Sequence, residues 1–160
     1  MEYSPHHTQE RPSIENMPYL NAAFFCENLI EGKDNVFSAI RIVDRMEYEL
    51  QTNVAEMVDI KPAISLTGLI ILKSGPALGK HTFQIDLVKP SGKSERVVDS
   101  PFELKGGEHA QNFRLNLVIV PDEDGLHWFE VRVNENLLTK MSLTLVRKQR
   151  TQSADLKTSG

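Results

Sequence analysis

The sequence has very little cysteine: its 160 residues include only Cys26. One thiol cannot close an internal disulfide or assemble a zinc cluster, so neither is expected to hold the fold. A lone cysteine also suits a reducing compartment, and we expect a cytoplasmic protein. In a strand, Cys26 would share a face with Ala22 and Phe24, which favours a small core residue over an exposed nucleophile.

Long apolar runs are also missing, since no stretch approaches the roughly 18 residues that span a membrane. Residues 1–16 have neither the basic start nor the apolar stretch of a secretory signal, so we expect no membrane association and no export by that route. The net charge is −4, and residues 1–146 contain 14 basic and 21 acidic residues. Because phosphate binding depends on clustered Lys and Arg, we expect no nucleic-acid partner.

The sequence lacks the common catalytic motifs. It contains no G-x-S-x-G, no H-E-x-x-H and no C-x-x-C. The stretch KGGEH, residues 105–109, has two glycines without the other positions of a phosphate-binding loop, and it predicts a turn. We therefore expect no cofactor and a protein that is not an enzyme.

What the chain does contain is a series of segments in which apolar residues alternate with polar ones, as in strands with one buried face. Turn residues separate them at positions 89–95, 121–125 and 134–136. Residues 69–72 are apolar on both faces, which is typical of a central strand. The inward positions are predicted to be Phe83, Ile85, Leu87, Phe113, Leu115, Leu117, Ile119, Phe129, Val131, Val133, Met141, Leu143 and Leu145.

The first third of the chain has two interpretations. Residues 19–50 fit two strands joined at GKDN, residues 32–35, which is favourable turn chemistry. However, Ile42, Met46, Leu50 and Val54 also fall on a helical i, i+4 row. We favour strands, while a short helical turn over 52–59 stays plausible.

Short strands separated by turns, without intervening helices, predict an all-β fold of antiparallel sheets packed as a β-sandwich, Ig-like or C2-like, with at most one short helix near 52–59. One domain over 17–147 is expected. Residues 1–16 are predicted to be a mobile leader, and residues 148–160 a disordered tail, because both lack apolar periodicity.

Three segments carry a family resemblance: YLNAAFFCENLIEGKDNVFSAIRIVDRM, LKSGPALGKHTFQIDLVKPSGK and GLHWFEVRVNENLLTKMSLTLV. Over residues 18–146 the chain resembles a family of small uncharacterised bacterial proteins, known only as a domain of unknown function. The resemblance implies a bacterial β-sandwich. It implies no activity, ligand or catalytic residues.

The only tryptophan is the main candidate for a binding site. If Phe129 faces the core, Trp128 lies on the outer face of its strand with Glu130 and Arg132. An outward aromatic ring beside charges can anchor a protein partner or stack on a sugar. We favour the alternative, in which Trp128 packs in the core or beneath the leader or a loop, because a bulge at the start of the strand would reverse the alternation.

Weaker candidates for a metal site are three histidines at predicted strand starts, His81, His109 and His127. The turn DEDG contributes Asp122 and Asp124, but it lacks the spacing of a calcium loop, and separate surface imidazoles and a solvated turn are favoured. His6 and His7, in the expected leader, are a weak pair. We predict no metal.

Three functional hypotheses follow. The first is a non-enzymatic β-sandwich that binds a protein partner or itself, which an apolar patch on one sheet would favour. The second is a module for small molecules or carbohydrates, which a groove lined by Trp128 would favour. The third is an unrecognised metal-dependent hydrolase, which would require the histidines and acids to converge.

Overall fold

The computed structural model describes residues 16–53, 55 and 57–149. Within them it has no α-helix, so the all-β prediction is confirmed. The described part of the chain also has no helix long and apolar enough to cross a membrane. The nine strands of this part are β1 (Tyr19–Glu31), β2 (Phe37–Val43), β3 (Arg45–Tyr48), β4 (Gln51–Asn53), β5 (Val58–Ile60), β6 (Ile64–Val88), β7 (Ser94–Ile119), β8 (Gly125–Val133) and β9 (Asn136–Arg147).

Most of the predicted leader and tail, residues 1–15 and 150–160, lies outside the described residues. The described residues next to them bind the domain. Asn16 accepts a hydrogen bond from the backbone N–H of Leu78, and the backbone N–H of Lys148 donates to the carbonyl of Tyr48.

Seven strands form one sheet in the order β2-β1-β6-β8-β9-β3, with β7 paired to β6. The ladders are antiparallel except that β3 runs parallel to β9, so the sheet is mixed. The strands β4 and β5 form a separate hairpin.

The sheet folds over because β6 and β7 are a single long hairpin with a bend in its middle. Its register slips between Lys73 and Leu78. The predicted turn at KGGEH is part of this bend, and its Gly106 and Gly107 lie within β7 at positive φ, where a side chain would be strained. The bend lets β6 join β1 through its first half and β8 through its second half.

Two phenylalanines prove that the halves face each other. Phe25 pairs with Gly68 and Phe129 pairs with Leu87, positions that would be about 60 Å apart on a straight strand. Their rings nevertheless meet edge to face with centroids 4.8 Å apart. The molecule is therefore a two-layer sandwich: the first layer holds β2, β1, 64–73 of β6 and 110–119 of β7, and the second holds 94–101 of β7, 81–88 of β6, β8, β9 and β3.

The core lies between these layers, and the predicted inward positions are confirmed. Each is buried or packs against the buried cluster. Residues 69–72 also behave as predicted for a central strand, since Ile70 and Leu72 enter the core while Leu69 and Ile71 join a second cluster on the opposite face.

In the first third, the two strands joined at GKDN are confirmed as β1 and β2. The short helical turn over 52–59, which the sequence left open, is not formed: β4 and β5 make a hairpin there, with Met57 at φ 51° where the chain reverses, although 54 and 56 lie outside the described residues. The alternative helix suggested by the i, i+4 pattern from Ile42 to Leu50 is also not formed. The chain bends at Asp44 instead and continues as β3 along β9.

Candidate functional site

Trp128 lies on the outer face of the second layer, between Val88 of β6 and Ser142 of β9. The alternation of β8 is regular here, so Phe129 is buried beside it while 38% of Trp128 is exposed. Of the two alternatives, the structure therefore shows the indole at the surface, next to Glu130 and Arg132.

Those neighbours belong to a network of charges on the outer face of the second layer, the ion-pair face. Arg96 and Arg132 both donate to the carboxylate of Asp86, at 2.8 and 3.0 Å. Arg132 and Lys140 both bind Glu130. The members of the ion-pair face are Asp86, Arg96, Glu130, Arg132, Glu135 and Lys140.

Hydrogen bonding in this network holds its carboxylates ionised. The bond from Arg96 lowers the pKa of Asp86, and bonds from Lys140 and Arg132 lower the pKa of Glu130. Bonds from Arg96 and Gln84 lower the pKa of Glu135 to about 2. A carboxylate that is saturated by cations is a poor general acid or base near neutral pH. Two of the three predicted contact residues, Glu130 and Arg132, thus already have partners within the chain.

The carboxylates of the DEDG turn bind residues of the β6–β7 turn and of β3. Asp122 binds Lys89 at 2.9 Å, and Glu123 accepts hydrogen bonds from the backbone and hydroxyl of Ser91 at 2.8 and 2.7 Å. Asp124 accepts a bond of 2.6 Å from the hydroxyl of Tyr48. Burial, together with this bond, raises the pKa of Tyr48 to about 12. The three carboxylates bind three different partners, rather than converging as calcium ligands do.

The predicted histidines do not converge either. His81 and His127 are buried near opposite ends of β8. In His81, Nε2 donates to the carbonyl of Leu78 at 3.0 Å and Nδ1 accepts from the side chain of Asn134 at 2.8 Å. His109 lies in the bend of β7, and its Nδ1 is buried without a partner among the described residues. His6 and His7 lie outside these residues.

Within the described part of the chain, no group of three or more His, Cys, Asp or Glu side chains is placed to hold a metal ion. The hydrolase hypothesis needed such a group from these histidines and acids, and the fold does not bring three of them together.

Asp122 and His127 both line a cavity of about 400 Å³ at the end of the sandwich, the end cavity. Lys89 lies between Asp122 and Glu95, at 2.9 and 3.8 Å, and the bond to Asp122 raises the pKa of Lys89. The end cavity is lined by Lys61, Leu87, Lys89, Glu95, Val97, Val118, Ile119, Val120, Asp122, His127 and Leu145.

Sequence reasoning missed this cavity, because its walls are brought together by the bend. Glu95 and Val97 begin β7, while Val118 and Ile119 end it. Nothing local in the sequence indicates that the two ends of one strand lie across a cavity from each other. The only available signal was the pair of charged residues, Lys89 and Glu95, around the turn that joins β6 to β7.

The outer face of the first layer is unlike the ion-pair face. Its apolar cluster comprises the buried Cys26, Leu29 and Leu69 with the half-buried Phe24, Phe37 and Ile71. Ile40 and Ile42 of β2 flank it and are 43% and 66% exposed. Cys26 is buried as expected, although in this outer cluster and not in the main core, and burial raises the pKa of its thiol. We name these eight residues the apolar face.

No protein-family model and no curated protein matches the chain. Among solved structures, it is similar to the alkylpurine DNA glycosylase AlkC of Pseudomonas fluorescens bound to DNA containing an abasic site analog, with 16% identity and a TM-score of 0.40 over 78% of this chain and 30% of that chain. It is also similar to a beta-glucosidase from Listeria innocua in complex with glucose, with 13% identity and a TM-score of 0.39 over 81% of this chain and 16% of that chain.

The chain thus spans less than a third of either protein. At such TM-scores the likeness supports no inference about activity, substrate or partner.

Proposed function

We propose that the protein is a non-enzymatic, Ig-like β-sandwich module of bacterial origin that works in the cytoplasm through protein contacts. The apolar face is its contact surface, and a second copy of the chain is the partner. The observation that supports this proposal is the pair of exposed isoleucines, Ile40 and Ile42, beside a half-buried aromatic cluster on the outside of a sheet. Contiguous apolar surface of this kind marks interaction sites.

The charge on this side of the sheet supports pairing of two copies. Residues directly opposite on neighbouring strands share a face, so the register identifies this side. The positions that share a side with Cys26, Leu69 and Ile71 include Arg114 and no carboxylate, whereas Phe37, at the edge of the apolar face, lies opposite Glu31. Two copies that meet through the positions around Cys26, Leu69 and Ile71 therefore juxtapose no carboxylates.

Arg114 is compatible with this arrangement because its guanidinium is directed back over the sheet. It donates to the carbonyl of Leu29 at 3.4 Å, and its charge lowers the pKa of Cys26 against the larger effect of burial.

The area of the outer face of the first layer is also large enough for a specific interface between two copies. Four strands spaced about 4.8 Å apart and about nine residues long cover roughly 19 by 30 Å. Two copies packed face to face would bury on the order of 1,100 Å², which exceeds the area of about 1,000 Å² expected for a specific interface.

Size-exclusion chromatography with light scattering tests the proposal. We expect the wild type to have the mass of two chains and Ile40→Asp that of one, because a buried carboxylate would oppose pairing. Leu126→Asp is the matched control: Leu126 is 42% exposed against 43% for Ile40, but it lies on the second layer. A wild-type monomer, or equal effects of the two substitutions, would refute the proposal.

A further inference from the structure

The end cavity has the size and lining of a small-molecule site. Its volume of about 400 Å³ falls in the range of roughly 300–1,000 Å³ that such sites occupy. Its inner wall is formed by core side chains, among them Leu87, Ile119 and Leu145, which are 8% exposed or less. Apolar walls with a few polar groups are the usual composition of ligand pockets.

The charged groups of the cavity neutralise one another. Lys89 is paired with Asp122 and Glu95, which leaves one negative charge on this trio, and Lys61 brings the four charged side chains of the cavity to zero. Lys61 makes no salt bridge to any described residue, but it is exposed at the surface and lies near Asp122. Because the buried part of the cavity has no unpaired charge among the described residues, it suits a neutral ligand.

His127 supplies the specific polar group. Its side chain is 2% exposed and lines the cavity. The carbonyl oxygen of Gly125 lies 3.0 Å from Nδ1, and because a carbonyl can only accept, the proton of the neutral ring lies on Nδ1. Nε2 is then an acceptor, and it has no partner among the described residues. Nε2 is not one of the fully buried atoms that lack a partner, so it is accessible from the cavity and can accept a hydrogen bond from an occupant.

We infer that the end cavity binds a small, neutral, largely apolar molecule whose hydroxyl group donates a hydrogen bond to Nε2 of His127, a phenol or an alcohol. This site goes beyond the proposed self-association, because none of its lining residues belongs to the apolar face. It also differs from the expected ligand site at Trp128, which does not line the cavity.

A matched pair of probes tests the hydrogen bond. Para-ethylphenol and para-ethylanisole share an aromatic body, but only the phenol has a donor. By calorimetry or NMR titration, we expect the phenol to bind and the ether to bind roughly tenfold more weakly, the value of one neutral hydrogen bond. The nitrogen shift of His127 Nε2 should move with the phenol and not with the ether.

Two variants complete the experiment. His127→Phe keeps a planar ring and removes the acceptor, so phenol and ether should then bind equally. If this variant does not fold, Val118→Trp fills the mouth of the cavity from a side chain that is 69% exposed, and it should abolish binding of both probes. Equal binding of the two probes to the wild type, binding of neither, or full phenol binding by Val118→Trp would each overturn the inference.

Discussion

The two outer faces of this sandwich are built on the same alternating pattern and have opposite chemistry. On the second layer, the outward residues of β8 and its neighbours form the ion-pair face, in which Asp86 binds two arginines. On the first layer, the outward residues of β1, β2 and β6 form the apolar face, with Ile40 and Ile42 exposed. The second layer thus pairs its outer charges with one another, and the first layer leaves apolar surface in contact with water.

This difference indicates where a partner is needed. Charged groups that already bind one another lose as much as they gain when a partner displaces them. Exposed apolar side chains gain by any contact that removes them from water. The face that holds the tryptophan is consequently the weaker candidate for a protein interface, although a lone tryptophan beside charges was the more noticeable feature of the sequence.

The largest expected effect comes from the core that both faces share. Phe129 is fully buried and contacts Phe25 of the other layer, so Phe129→Ala should lower the free energy of unfolding by about 3–5 kcal/mol. Phe24→Ala makes the same chemical change on the half-buried apolar face and should cost clearly less. Urea unfolding with an unchanged m-value measures both. Equal losses would mean that the apolar face is packed as tightly as the core.

Removing a carboxylate from the ion-pair face should have an intermediate effect. Asp86 is 15% exposed in its side chain, and Asp86→Asn leaves Arg96 and Arg132 without their shared charge. We expect a loss of about 1–3 kcal/mol at pH 7. Glu47→Gln is the control, because its partner Lys148 is more than half exposed and such pairs contribute little.

The stabilisation by Asp86 should also depend on pH, in a direction set by its lowered pKa. The pKa of Asp86 is lowered by folding, so its contribution is complete above the unfolded-state pKa of about 4 and is lost as pH falls through the lower folded value. The difference between wild type and Asp86→Asn should therefore shrink in acid. A difference that stays constant from pH 7 to 2 would contradict an ionic origin.

Much of the second layer could be predicted from sequence, because its strands and turns are determined by patterns among residues close together in the chain. The alternation in β8 and β9 was enough to identify Phe129 and Met141 as inward, but it did not decide whether Trp128 is exposed or packed beneath a loop. The turn between them was also evident, since Asn134 and Glu135 form a two-residue connection at positive φ, a conformation that asparagine tolerates well.

The bend could not be predicted in the same way. Its glycines indicated turns, but period-two patterns do not distinguish two separate strands from one long strand that changes layer. The end cavity depends on that bent hairpin, because the bend brings the two ends of β7 together. The pairing of Asp86 with Arg96 depends on a register shift between Ile85 and Asp86. The apolar face was missed because Cys26 and Phe24 were assigned to the core, whereas the core side of β1 holds Ala23 and Phe25.

Trp128→Ala is expected to have the smallest effect and discriminates most directly between the two faces. Because 38% of the side chain is already exposed, and no hydrogen bond to the described residues depends on it, its loss should change stability by about 1 kcal/mol or less. The mass by light scattering should be that of the wild type, since Trp128 lies on the layer opposite Ile40. If Trp128→Ala dissociates the assembly while Ile40→Asp leaves it intact, the comparison is reversed: the tryptophan and its ion pairs are then the contact surface, and the exposed isoleucines are not.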